Sequence, residues 1–350
     1  MTATPASPPP AKRRDPWLDN VKMVLVTIVV IGHLLVVSPP SRQQSWVYDF
    51  IYYFHIPAFV LVTGYLSRSF RYTRRHLLSV LTTLVVPYII FSWLMVWWRH
   101  LAGGEPLLDQ IWTNPHWPMW YLIVTAMWRL VTPILKLHWV MVPISIAVSL
   151  LAGLTDQELF DLNRFMGFLP FFVVGLHLRP EHLALLRSPR AKAPALVVVA
   201  LVFWLAKYTD RYWSTQFLFF RADYASLGAT FGEGVWIRIR LICVALAMTA
   251  AVLALIPQRR SFLTQMGGYS LVVYLCHGFV VRWLEYQGWA DLLPVSHPWL
   301  AIAINVCVAI ALALVLAWRP IAERLLWIVD PINTFLKHRR LQAEASQTAA

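Results

Sequence analysis

Lys22 and His33 stand eleven positions apart in the first apolar run of the chain, which holds little else that ionises. At about 100° per residue, eleven residues make three helical turns plus about 20°, so the two side chains share a helix face. At 1.5 Å per residue they lie about 16 Å apart along the axis. Ionisable groups inside an apolar span are costly and mark functional positions by default. Lys22 also has a plainer role open to it, because a lysine stem can carry its charge out to an interface. Asp19, one turn earlier, can pair with it. His33 sits deeper, where an imidazole needs polar partners, and it is the side chain best suited to take a proton from a hydroxyl near neutral pH.

The second apolar run carries Tyr52-Tyr53-Phe54-His55-Ile56-Pro57. A short link makes the first two runs an antiparallel hairpin. Reflection about residues 42–43 places His33 level with Tyr52, one turn from His55. The two histidines can share a proton relay or orient a hydroxyl; alternatively His55 only caps the backbone near Pro57. Arg71 and Arg74, one turn apart, can hold a phosphorylated ligand, although as basic residues flanking a span they also serve as a topology signal, which charge alone favours. Arg129, Arg164, His177, His277 and Arg282 are further ionisable residues within apolar runs; Arg282 and Glu285 can neutralise each other at i,i+3. Arg238 and Arg240 are expected to reach an interface by snorkelling. Trp117 and Trp120 are expected, with most of the 18 tryptophans, in interfacial belts.

The elements that must hold these residues follow from composition. Of 350 residues, 59% are hydrophobic and 13% charged, against about 45–50% and about 25% in soluble domains. That excludes a disordered chain, an ordinary soluble enzyme and a fibrous rod, and points to a lipid bilayer as partner. Ten apolar runs, near 17–38, 47–67, 76–98, 117–136, 138–154, 163–179, 194–209, 235–256, 268–286 and 298–318, predict an all-α polytopic membrane protein with about ten spans. Residues 1–16 form a basic Pro/Ala-rich tail expected to be disordered, 17–319 the membrane domain, and 320–350 a C-terminal tail. With both termini in the cytosol, 20 of the 30 basic residues fall on the cytosolic side, among them Lys12, Arg68, Arg75, Arg179, Arg190, Arg260 and Arg340. The net charge of +13 is therefore a topological signature, with no basic face interleaved with aromatics to suggest nucleic acid. Cys243, Cys276 and Cys307 lack the spacing of a zinc site or a disulfide framework, and no metal is expected. Gly-rich phosphate loops, His-Glu-x-x-His, Gly-x-Ser-x-Gly, His-x4-Asp and Asp-His-His-Cys are absent.

Asp19-Asn20-Val21-Lys22…Gly32-His33 resembles the first helix of the membrane acyltransferase-3 family, whose pattern is a basic residue, ten residues, then His. Phe54-His55-Ile56-Pro57-Ala58-Phe59…Gly64-Tyr65, Arg71-x-x-Arg74, Pro87-Tyr88 and Trp120-Tyr121-Leu122 follow in order. So do Arg164…Phe168-Leu169-Pro170-Phe171-Phe172…Gly175 and Tyr269-Ser270-Leu271…Tyr274-Leu275-Cys276-His277-Gly278. These strings resemble the branch of that family related to fucose 4-O-acetylase, over about 15–320. The resemblance implies transfer of an acyl group, usually acetyl, from cytosolic acyl-CoA (acetyl-CoA) to a hydroxyl of a sugar, glycan or lipid acceptor at the outer side of a plasma membrane. Lys22, Arg71 and Arg74 would bind the phosphates of CoA, His33 would be the general base, and Arg164 or His55 would stabilise the oxyanion. The rival is a transporter or flippase, which lacks support from any internal repeat. Reporter fusions after Arg75, Arg190 and Arg260 should read cytosolic and those after Asp109, Asp161 and Asp223 external; one reversed pair breaks the ten-span topology at that point.

Overall fold

A computed structural model describes residues 15–349 except 109, 116 and 157. The expected tail, up to residue 14, and Asp109 lie outside the described residues. Helix α1 spans Pro16–Val36, opened by Asp15, whose carboxylate accepts from the Trp17 N–H at 3.0 Å, and by Pro16 in the first turn. The chain continues through α2 (Arg42–Tyr52), α3 (His55–Ser67), α4 (Arg74–Val80), a π-helical turn at Leu81–Val85, α5 (Val86–Gly103), α6 (Trp120–Leu135) and α7 (Met141–Leu151). Next come α8 (Leu162–Gly167), α9 (Leu169–His177), α10 (Pro180–Leu186), α11 (Pro189–Ala206), α12 (Thr209–Tyr212) and α13 (Phe231–Leu255). The last are α14 (Phe262–Met266), α15 (Ser270–Tyr286), α16 (Pro298–Ala317), α17 (Arg319–Val329) and α18 (Pro331–Ala349). No described residue lies in a strand.

Each of the ten apolar runs is helical. By length and composition, six helical segments are able to cross a membrane: Pro16–Val36, Arg42–Ser67, Arg74–Gly103, Pro189–Ala206, Phe231–Leu255 and Pro298–Ala317. The pair Leu159–Gly167 and Leu169–His177, bent by 57°, makes a seventh if read as one span. The C-terminal segment after 319 is helical in its described part.

α1 is the hub, packed against α3, α14, α15 and α16. Its Asp19-Asn20 pair has structural duties: Asn20 is fully buried, its amide donates to the carbonyls of Pro257 (2.8 Å) and Arg259 (3.0 Å), and its oxygen accepts from Thr264 (2.7 Å). At this Lys22 end the connections also meet one another. Arg68 donates to the Leu178 carbonyl at 2.8 Å, Lys136 to the Arg68 carbonyl at 3.1 Å, and Arg187 pairs with Asp15 at 2.6 Å. A second set gathers at the His33 end, where Asn305 donates to Ser38 at 2.5 Å and Thr215 to Asp49 at 2.9 Å.

Arg238 does not snorkel. It is 1% exposed, donates to the Ser149 carbonyl at 2.7 Å, and lies over the rings of Phe220 and Tyr224. The surrounding aromatic faces and carbonyl give it a site inside the protein, so its stem has no need to reach water.

α3 and α9 cross backbone to backbone. A Cβ on Gly64 would meet the Phe172 carbonyl oxygen, and one on Gly175 the Leu61 carbonyl oxygen. Small residues permit this approach, and apolar membrane helices depend on such packing for association. Gly64→Ala should therefore destabilise the protein by about 1–3 kcal/mol, read as a lower melting temperature in detergent; an unchanged melting temperature would mean the crossing has slack.

Candidate active site

The last turn of α1 carries His33, 6% exposed, and the middle of α15 carries His277, fully buried. His33 Nδ1 and His277 Nε2 lie 2.7 Å apart. His277 Nδ1 lies 3.0 Å from the Val273 carbonyl oxygen, one turn back on its own helix. A carbonyl only accepts, so His277 carries its proton on Nδ1 and presents a lone pair on Nε2. His33 must then donate from Nδ1. In the neutral pair this leaves His33 Nε2 as the unprotonated nitrogen, the one able to receive a proton. The ring is held on two sides as well: it lies near-parallel to His277 at 5.0 Å between centroids, and Trp117 packs against it at 4.2 Å with its plane tilted by 51°.

His33 lines a cavity of about 260 Å³ walled by Tyr48 and Tyr52 of α2, His55 of α3, Trp117, Trp120, Arg164 of α8, Phe168 and Phe219, with Arg282 and Glu285 at its rim. His55 opens α3 where the chain breaks after Tyr52. Its Nδ1 donates to the Ile51 carbonyl at 2.9 Å and so closes the end of α2. Arg164 pairs with Asp161 at 2.5 Å and sits over the Trp120 ring; Arg282 pairs with Glu285 at 2.6 Å and sits over the Trp117 ring. Two carboxylate-neutralised guanidinium groups, each stacked on a tryptophan, thus face one aromatic chamber.

A second cavity, about 240 Å³, opens toward the other end of α1. Lys22, held by Asp19 at 2.7 Å, shares it with Arg129 of α6 and the hydroxyls of Thr63, Thr83, Thr125 and Ser270. Arg129 has no hydrogen-bond or ion-pair partner among the described residues. Phe59, Tyr121 and Tyr274, their rings 5.7 Å apart in each neighbouring pair, form the wall of this chamber that adjoins the first: Tyr121 follows Trp120, and the Tyr274 ring lies 6.1 Å from that of His277. Tyr121 Oη is 2.5 Å from Thr63 Oγ1, and Tyr274 Oη donates to the Pro118 carbonyl.

The structure thus brings His33, His55 and Arg164 to one chamber and places Lys22 in the other. The partner of His33 is His277; the relay expected with His55 is not formed, because the Nδ1–H of His55 is spent on the backbone. Arg71 and Arg74 are exposed and line neither chamber. Arg74 begins the same helix that brings Thr83 and Leu84 to the Lys22 chamber. His177 caps the Val173 carbonyl at 2.9 Å. Trp117 and Trp120 are chamber walls and not interfacial belts; their surroundings are His33, Arg282, Arg164 and Phe168. Sequence reasoning gave Arg129 and His277 no role. The signal for both was their ionisable character in an apolar run, and for His277 also its place in the string Tyr274-Leu275-Cys276-His277-Gly278.

Residues 15–318 match the family model described as an acyltransferase domain, that of the acyltransferase-3 family. A stretch of 61 residues, 16% of this chain, is 39% identical to nodulation protein NolL of Sinorhizobium fredii (strain NBRC 101917 / NGR234), and covers 17% of that protein. No solved structure matches the chain.

Proposed function

The chain belongs to the acyltransferase-3 family, and from that premise we propose that it is a plasma-membrane O-acyltransferase that carries an acetyl-sized group from cytosolic acetyl-CoA to a hydroxyl of an envelope sugar, glycan or lipid. In this reading the basic Lys22 end faces the cytosol, the chain crosses the bilayer about ten times with both termini inside, and the His33 chamber opens to the exterior.

The observation that carries the reading is the His33–His277 hydrogen bond of 2.7 Å. It leaves His33 with a lone pair on Nε2 in a chamber that also holds a guanidinium. The acceptor hydroxyl would give its proton to that nitrogen as its oxygen attacks the thioester carbonyl. The cation formed on His33 is stabilised by the His277 lone pair. Collapse of the tetrahedral intermediate breaks the C–S bond, and the proton returns from His33 to the departing thiolate as free CoA. Arg164 suits the oxyanion, because its N–H groups outnumber the single acid it pairs with. Neutral His55 does not: with Nδ1–H bound to Ile51, its Nε2 can only accept. It can still receive a hydrogen bond from the acceptor. Lys22 and the unpaired Arg129 would take the phosphates of the donor, with Arg71 and Arg74 nearer the bulk solvent.

The reading is tested with purified protein in lipid, radiolabelled acetyl-CoA and the acceptor found by mass spectrometry of envelope glycans and lipids with and without the protein. His33→Ala should lower kcat by about 100- to 10,000-fold. His277→Ala should lower it less, and His277→Gln, which restores an acceptor for His33 Nδ1–H, should recover part of the loss. Arg129→Gln should raise the KM for acetyl-CoA with kcat little changed. A fully active His33→Ala protein sinks the mechanism.

A further inference from the structure

The His33 chamber does not end at its aromatic walls. Val36 and Tyr48 are shared with a second hollow of about 280 Å³, and Ser45, Asp49 and Asp210 join that hollow to a third of about 420 Å³. One face of α2 runs beside all three, through Tyr52, Tyr48, Ser45 and Arg42. Ten residues of helix make about 15 Å. The segment 207–219 forms the facing wall, with Phe219 beside the chamber, Thr215 and Asp210 in the middle and Lys207 at the far end.

We propose that this cleft is an extended acceptor subsite, in which a polyhydroxylated glycan of at least two sugar units lies with its reacting hydroxyl at His33 and its next unit between Asp49 and Asp210. The proposal rests on the acyl-transfer reading and specifies the acceptor it takes. The size is the first argument. The chamber alone falls just under the about 300–1,000 Å³ usual for small-molecule sites, whereas the joined cleft is too long for one pyranose ring. The lining is the second. Asp49 is 2% exposed and spends one oxygen on Thr215; Asp210 has no ion-pair or hydrogen-bond partner among the described residues. Carboxylates are acceptors only and suit a ligand rich in hydroxyl donors. An acyl lipid would leave Asp210 desolvated and unpaired. The third argument is the aromatic surface. Tyr48 and Tyr52 stack at 4.1 Å beside the chamber, and Trp46 flanks the far hollow with its indole N–H fixed on the Phe203 carbonyl at 2.6 Å. Such faces pack against the C–H face of a sugar ring while its hydroxyls point to the acids.

The test measures binding to the detergent-solubilised full chain by isothermal calorimetry, with mono-, di- and trisaccharides of glucose, mannose and N-acetylglucosamine as probes. At least one series should bind about tenfold tighter as trisaccharide than as monosaccharide. Asp210→Asn, at an exposed position, should cut that gain below about twofold. Asp49→Asn, which keeps the bond from Thr215, should act in the same direction. Equal affinities along every series, or a length gain retained in Asp210→Asn, overturns the proposal. A length gain that Asp210→Asn abolishes, in a protein that transfers nothing from radiolabelled acetyl-CoA to any acceptor, leaves the cleft standing and removes the acyl-transfer reading.

Discussion

The hydrogen bond between His33 and His277 is the contact on which the proposed chemistry depends, because it decides where one proton resides. Two imidazoles deep among apolar side chains have four nitrogens to satisfy, and each unsatisfied one is expensive. The Val273 carbonyl takes one proton, His277 Nε2 takes another, and a single lone pair is left over on His33. The bond also ties α1 to α15, elements whose histidines are 244 residues apart in the chain. The packing around α1 makes that meeting possible: Asn20 pins the segment before α14 at one end, and Asn305 of α16 grips Ser38 at the other.

The helix irregularities gather at the chambers. The break between α2 and α3 exposes the Ile51 carbonyl that His55 caps. The bend between α8 and α9 falls at Phe168, a wall of the His33 chamber, and the π-helical turn at Leu81–Val85 gives Thr83 and Leu84 to the Lys22 chamber. Irregular backbone at such depth is tolerated where protein groups satisfy it or where it lines a cavity. A π turn adds a residue to a helix without ending it and re-aims the side chains beyond. Of these three irregularities only the bend at Phe168 divides an apolar span in two; the break after Tyr52 and the π-helical turn lie inside segments still long and apolar enough to cross a bilayer.

Relations along one helix were legible in the sequence, and relations between helices were not. Lys22 and His33 lie on one face because eleven residues nearly close three turns, and the Asp19–Lys22 and Arg282–Glu285 pairs form as their spacing requires. The level of His33 beside Tyr52 also followed from the short hairpin; a Cβ on Gly32 would touch the Tyr52 ring at 3.4 Å. The partner of His33 could not be read this way, since no periodicity links residue 33 to residue 277. Trp117 and Trp120 were misplaced for a related reason: an amphipathic ring suits an interface and a cavity wall equally, and only tertiary contacts separate the two. Arg238 was assigned to snorkelling because a lone arginine near a helix end has no visible partner until Ser149 and the rings of Phe220 and Tyr224 come together from other elements.

The two chambers impose a physical problem that the septum answers. Groups at Lys22 and His33, about 16 Å apart on one helix, cannot act on one molecule unless it reaches through the layer of Phe59, Tyr121 and Tyr274. A permanent opening there would join the two sides of the protein by a polar path, which a membrane enzyme has to avoid. The septum closes without cost to its own polar groups: both tyrosine hydroxyls end on protein partners, Tyr121 on Thr63 and Tyr274 on the Pro118 carbonyl. Pro118 follows Trp117, the ring packed against His33, and Tyr274 lies one turn before His277 on α15. A slender donor arm that displaced Tyr274 would therefore disturb a contact next to the His33–His277 pair. On the proposed reading, arrival of the thioester and the setting of His33 are mechanically joined, since the residues that bar the path are fastened to the residues that do the chemistry.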